Sequence, residues 1–92
     1  MRAKVGKQSF EKDAEVNNKE KYILLLFNDD IHSFDYVIEN LIEVCEHSSE
    51  QAEQCAMLAH YKGSCEVKEG SGIVVKKMRI ELINKGLKAS II

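Results

Sequence analysis

The sequence predicts an α/β two-layer sandwich: a three-stranded antiparallel sheet with three helices on one face, in the order β-α-α-β-α-β. Three observations carry this expectation. The apolar run Tyr22–Phe27 has the length of a strand and stops abruptly in Asn28, Asp29 and Asp30. Serines at 33, 48 and 71 each precede a segment with helical spacing. Gly63 and Gly86 each close a helical segment just before a short strand-like one.

Taken in order, residues 1–20 are polar and lack a sustained apolar period, which predicts a flexible arm ahead of a core domain spanning 21–92. Six consecutive apolar residues from Tyr22 predict a fully buried first strand rather than an alternating one. Ser33 caps a first helix, with Phe34, Val37, Ile38, Leu41, Ile42 and Cys45 facing in and Asp35 suited to the positive helix end. Tyr36 and Asn40 are expected to face out or to line an edge. Ser48 or Ser49 caps a second helix, and with Ser48 as the cap Gln51 takes its third position. Ala52, Cys55, Ala56 and Ala59 give that helix a narrow face of small residues, which Met57 and Leu58 widen.

Ser64–Lys68 alternates as a short strand, with Cys65 and Val67 on one face. A third helix follows the Glu69–Gly72 turn and runs to about Lys85, with Val74, Val75, Met78, Leu82 and Ile83 inward and Lys76, Lys77 and Arg79 outward. Leu87–Ile92 forms the last strand.

At 92 residues this is one domain with a modest core. No apolar run approaches the ~18 residues of a membrane span, and the basic start has no apolar stretch of a secretory signal behind it. Three cysteines without a paired framework predict reduced thiols and a cytoplasmic setting. Charge is unevenly spread. Residues 22–61 contain eight acids and no Lys or Arg, while the flanking segments are basic. Such a block repels nucleic acid and anionic lipid and attracts amines.

Asn28, Asp29, Asp30, His32 and His60 form the chemical constellation. An ammonium group needs several acceptors, at least one of them charged, and a strand end supplies a stiff base for them. A loop with an Asx-turn and a cap explains the same run without a ligand. The cysteines lie ten residues apart, with no C-x₂₋₄-C pair, so no metal site is expected. The ligand pattern of a calcium loop is missing, as are nucleophile-elbow, zinc-protease and phosphate-loop motifs. No catalytic activity and no cofactor are expected. A metal-dependent enzyme using Asp29, Asp30 and His60 is the least favoured alternative.

The stretch from Tyr22 to Ile38, YILLLFNDDIHSFDYVI, followed by Glu50-Gln-Ala and by Met57-Leu-Ala-His-Tyr-Lys-Gly63, resembles the ClpS family. The likeness covers about residues 21–70. It implies an adaptor of the bacterial Clp protease that binds the free N-terminal Phe, Tyr, Trp or Leu of N-degron proteins and delivers them to the N-terminal domain of a ClpA- or ClpC-type AAA+ unfoldase. It further implies that Asn28 and Asp30, with Asp29 close by, and His60 hold the α-amino group. His32 stands where the family usually has Thr, a residue that helps through water. Phe34, Val37, Ala56 and Ala59 would line the side-chain pocket, with Phe34 and Ala56 replacing methionines usual in the family. The arm would engage the unfoldase during delivery, the basic third helix would carry part of the docking surface, and the protein would act as a monomer. An alternative on the same element order is a domain similar to the C-terminal domain of the ribosomal stalk protein, which shares the Gly-x-x-Ala-x-Ile ending and lacks the Asn-Asp-Asp and His pair.

Overall fold

The computed structural model describes residues 21–92; the arm expected over 1–20 lies outside the described residues. Six elements follow the predicted order: β1 (Tyr22–Phe27), α1 (Phe34–Cys45), α2 (Ser49–Lys62), β2 (Ser64–Gly70), α3 (Gly72–Asn84) and β3 (Ala89–Ile91). The sheet is antiparallel with order β2-β1-β3, so the apolar run becomes the central strand.

Local chemistry sets the helix ends. Ser33, Ser48 and Ser71 are all N-caps, their side chains accepting from the N–H groups of Tyr36, Gln51 and Val74. Gly63 closes α2 at φ +96, a left-handed conformation that costs glycine little. α1 ends instead on Glu46 at φ +62, where a non-glycine residue carries the left-handed turn.

β1 differs from its expectation. Tyr22, Leu24 and Leu26 are buried under the helices, while Ile23, Leu25 and Phe27 on the opposite face are only half-buried. The helices sit on one side, so a continuous apolar run still alternates in burial. β3 is shorter than expected as a strand, yet Lys88 and Ile92 extend its pairing: Phe27 N–H donates to Lys88 O and Ile23 N–H to Ile92 O, each at 2.9 Å.

The pairing of β1 with β2 slips by one residue, with Leu24 opposite Lys68 but Leu25 opposite Glu66. Val67 is the extra residue, as in a β-bulge. Its carbonyl accepts from His47 Nε2 at 2.6 Å, so the buried imidazole between α1 and α2 is pinned to the sheet. Only one nitrogen is used: among the described residues His47 Nδ1 is buried without a hydrogen-bond partner.

Helix phase needs correction in all three helices. In α1 the buried residues are Val37, Asn40, Leu41, Val44 and Cys45, whereas Phe34 and Ile42 are exposed. Asn40 is buried because its side-chain amide donates to the Tyr36 carbonyl one turn back, at 2.8 Å. In α2 the small-residue face Ala52, Cys55, Ala56 and Ala59 is buried as expected, but Met57 and Leu58 are exposed. In α3 Val75, Met78 and Leu82 face in, and Val74 and Ile83 do not. One covered side leaves each helix a narrower inward stripe than its apolar content suggests.

The three cysteines are free and buried. Burial pushes the Cys45 thiol up to about 11 and, with the neighbouring Cys55 adding to it, the Cys65 thiol up to about 12. These are packed, unreactive thiols. Among the described residues no group of three or more His, Cys, Asp or Glu side chains is placed to hold a metal ion, and no helix is long and apolar enough to cross a membrane.

The corrected helix phase is testable. Leu41→Ala should cost about 2–5 kcal/mol in urea denaturation, because Leu41 is fully buried. Ile42→Ala, one residue along and 38% exposed, should cost less than about 1 kcal/mol. Equal losses would restore the stripe read from the sequence.

Candidate functional site

A cavity of about 210 Å³ opens where the end of β1 meets the first turn of α1 and the last turn of α2. Two features bring these ends together. Asn28 N–H donates to Gly63 O at 3.0 Å, which fastens the strand end to the turn that closes α2. The small side chains of Ala56 and Ala59 then let α2 lie close, with His60 at the rim.

All nine site residues expected from the sequence line this one cavity: Asn28, Asp29, Asp30, His32, Phe34, Val37, Ala56, Ala59 and His60. Leu26 and Phe27 line it as well. They were not anticipated, although their place immediately before Asn28 at a strand end was a sufficient signal. The polar groups gather at the loop and at His60, and the apolar lining comes from β1, α1 and α2.

The acidic loop divides into two kinds of carboxylate. Asp29 turns inward, with its side chain only 8% exposed. Its Oδ1 accepts from Ile31 N–H at 2.8 Å and His32 N–H at 2.9 Å, and its Oδ2 from the His32 ring at Nδ1. Burial alone would push this carboxyl up. The hydrogen bonds from the His32 N–H, the His32 ring and the Ile31 N–H, with the attraction of His32, outweigh it, so the pKa falls below its ordinary 3.8. Three bonds satisfy Asp29 within the loop and leave it little to offer a ligand. Asp30 is exposed, and one of its oxygens accepts from Asn28 Nδ2 at 3.0 Å. That bond orients the Asn28 amide so that its oxygen remains an acceptor.

The histidines divide in the same way. His32 spends Nδ1 on Asp29 and stacks on Tyr36, with ring centroids 4.7 Å apart and planes 15° from parallel. Tyr36 donates its hydroxyl to Lys85 O at 2.6 Å. This residue, expected at an edge, therefore bridges α1 to the end of α3. His60 is exposed and makes a tilted contact with Phe34, centroids 5.4 Å apart, at the mouth. Phe34 is itself 44% exposed, consistent with a wall rather than a core residue.

A sequence profile described as ATP-dependent Clp protease adaptor protein ClpS matches residues 17–89. The chain belongs to the ClpS family. ClpS proteins are adaptors of a protease rather than enzymes, and family membership favours an adaptor over the stalk-domain alternative. Among solved structures, this ClpS chain superposes on Agrobacterium tumefaciens ClpS2 bound to L-phenylalaninamide with a TM-score of 0.75. The match covers 79% of this chain and 95% of that one at 23% identity, and it shows a shared fold. No curated protein sequence gives a significant match.

The internal bonding of Asp29 predicts an acid response. Its folded pKa lies below its unfolded one, so its contribution is present above about pH 4 and is lost as pH falls through the folded value. Asp29→Ala should lower stability near neutral pH by about 1–3 kcal/mol, because two backbone N–H groups lose their acceptor. The two urea-denaturation profiles should converge as pH falls below the folded pKa of Asp29. Parallel profiles would mean that Asp29 does not carry the loop.

Proposed function

We propose that the protein is an N-degron adaptor. Its pocket takes the free N-terminal residue of a substrate, an α-ammonium group at the mouth and a large apolar side chain inside, and the protein presents that substrate to a ClpA- or ClpC-type unfoldase. The observation that carries this reading is the junction of two exposed acceptor groups, Asp30 and His60, with an apolar cavity of about 210 Å³. L-phenylalaninamide, the molecule bound to the Agrobacterium protein, has the same two parts: a free amine and a phenyl side chain.

The residues take distinct roles. Asp30 supplies the charged acceptor, with Asn28 Oδ1 and a His60 ring nitrogen as its partners. Asp29 and His32 hold the loop in shape rather than contacting the amine. Phe34, Val37, Ala56 and Ala59 surround the side chain, with Leu26 beneath them. The base-free segment 22–61 places no Lys or Arg of its own near the ammonium. A hydrogen bond to a charged group contributes about 1.5–3 kcal/mol. Burying a Phe- or Leu-sized side chain contributes a similar amount. Neither term alone overcomes the cost of association, so both ends of the ligand are needed.

The decisive measurement is the affinity for one Phe-initiated peptide with its amine free and acetylated. Acetylation should weaken binding by about a hundredfold, since it removes charge and donors together. Asp30→Ala and His60→Ala should each weaken free-amine binding by about tenfold or more while leaving the thermal midpoint nearly unchanged, because both side chains are exposed. Equal binding of the two peptides rules the reading out.

Pocket shape gives a second expectation. Ala56 is buried at the cavity wall, so Ala56→Met places a long side chain inside the space. Competition titrations should show Phe- and Trp-initiated peptides losing more affinity than a Leu-initiated one. A uniform loss for all three would mean that Ala56 does not shape the side-chain pocket.

A further inference from the structure

We infer that His32, Tyr36 and Gly86 are positioning residues for the amine site, so that the turn between α3 and β3 sets the affinity for a substrate N-terminus. The inference rests on the reading that this pocket takes a free α-amino group.

The acceptor loop has no regular secondary structure of its own. Its shape comes from the Asp29 carboxylate, two of whose bonds go to backbone N–H groups and the third to the His32 ring. The direction of that third bond depends on where the ring lies, and the ring lies in a slot. Asp29 meets it at Nδ1 and Tyr36 covers one face. Gly86 meets the Cε1–Nε2 edge, where a Cβ would come within 3.0 Å of Cε1 and 3.1 Å of Nε2. Gly86 also has φ +86, so both its conformation and its neighbour call for glycine.

The same turn acts a second time. The Tyr36 hydroxyl is held by the carbonyl of Lys85, next to Gly86, so the turn fixes the stacked partner as well as the slot wall. The Lys85 ammonium points elsewhere, to Glu43 at 3.8 Å. The slot therefore works through shape and hydrogen bonds. A displaced His32 ring carries the Asp29 carboxylate with it, and Asp30 is the next residue along that backbone.

A double-mutant cycle on the full chain tests this, with a fluorescent Phe-initiated peptide as the probe. Gly86→Ala should weaken free-amine binding by about tenfold in the native background and by less than about twofold in a His32→Ala background, because the clash is gone there. Tyr36→Phe, which removes only the hydroxyl, should weaken binding by about twofold to fivefold and serves if Gly86→Ala folds poorly. His32→Asn keeps a donor toward Asp29 and should bind more tightly than His32→Ala. The ring ¹⁵N shifts of His32 should move in both Gly86→Ala and Tyr36→Phe. Unchanged affinity in Gly86→Ala and Tyr36→Phe, or the same loss in both backgrounds, overturns the inference while the contrast between free and acetylated peptides stands. Loss of that contrast in the unmodified protein overturns the underlying reading and the inference with it.

Discussion

The Asp29 carboxylate is the interaction on which the pocket mouth depends. A carboxylate almost out of water is costly unless its oxygens are bonded. Here three donors meet it, all within three residues along the chain. Satisfying that buried charge is what folds the loop. Ile31 and His32 must bring their N–H groups inward, His32 must present Nδ1, and Asp30 is left facing solvent. The exposed acceptor is thus a consequence of the buried one. Neutralising Asp29 would free the loop and with it the direction of Asp30.

This division was only partly legible in the sequence. The run Asn28-Asp29-Asp30 announced acceptors at a strand end, and Gly63 after His60 announced a second helix ending nearby. The Asp-to-backbone turn was also foreseeable, since it is local chemistry. Which of two adjacent aspartates turns inward is not a local matter, because it depends on where the His32 ring can rest. That place is set by Tyr36 and Gly86, the latter more than fifty residues away, and a glycine after a helix reads only as a stop. The N-caps at Ser33, Ser48 and Ser71 were legible for the opposite reason: each is a contact between a side chain and an N–H three residues on. Helix phase was read less well. Ile42, Val74, Ile83, Met57 and Leu58 are apolar and exposed, while Asn40 is polar and buried because it bonds its own helix. Residue type states what burial would gain, and the geometry of a one-sided sandwich decides who receives it.

The placement of α2 links core and site. His47 bonds the bulged carbonyl of Val67 and fixes the link that leads into the helix. Ala52, Cys55, Ala56 and Ala59 then allow that helix to pack tightly, and the left-handed turn at Gly63 returns the chain to the sheet beside Asn28. Small residues on this face serve two ends. They bring the helix close enough to place His60 at the mouth, and they leave unfilled space behind it. A bulkier residue at 56 or 59 would strain this close packing and narrow the cavity.

With the polar groups confined to the loop and His60, the proposed reading assigns discrimination among N-terminal residues to the shape of the apolar walls. Phe34 stands at the mouth, half exposed and tilted against His60, and Ala56 lies buried behind it. The larger side chain is therefore near the entrance and the smaller one is inside. If Asp30 and His60 hold the amine as proposed, a substrate side chain would be most constrained beside Phe34 and freer beside Ala56. On the proposed reading, an ammonium at Asp30 would bring the substrate Cα near Phe34, so the acceptor loop and the aromatic wall would bear on the same atom. On that reading specificity and the clamp on the loop are linked: a shift of Asp30 would move the ligand along Phe34 and change which side chains fit.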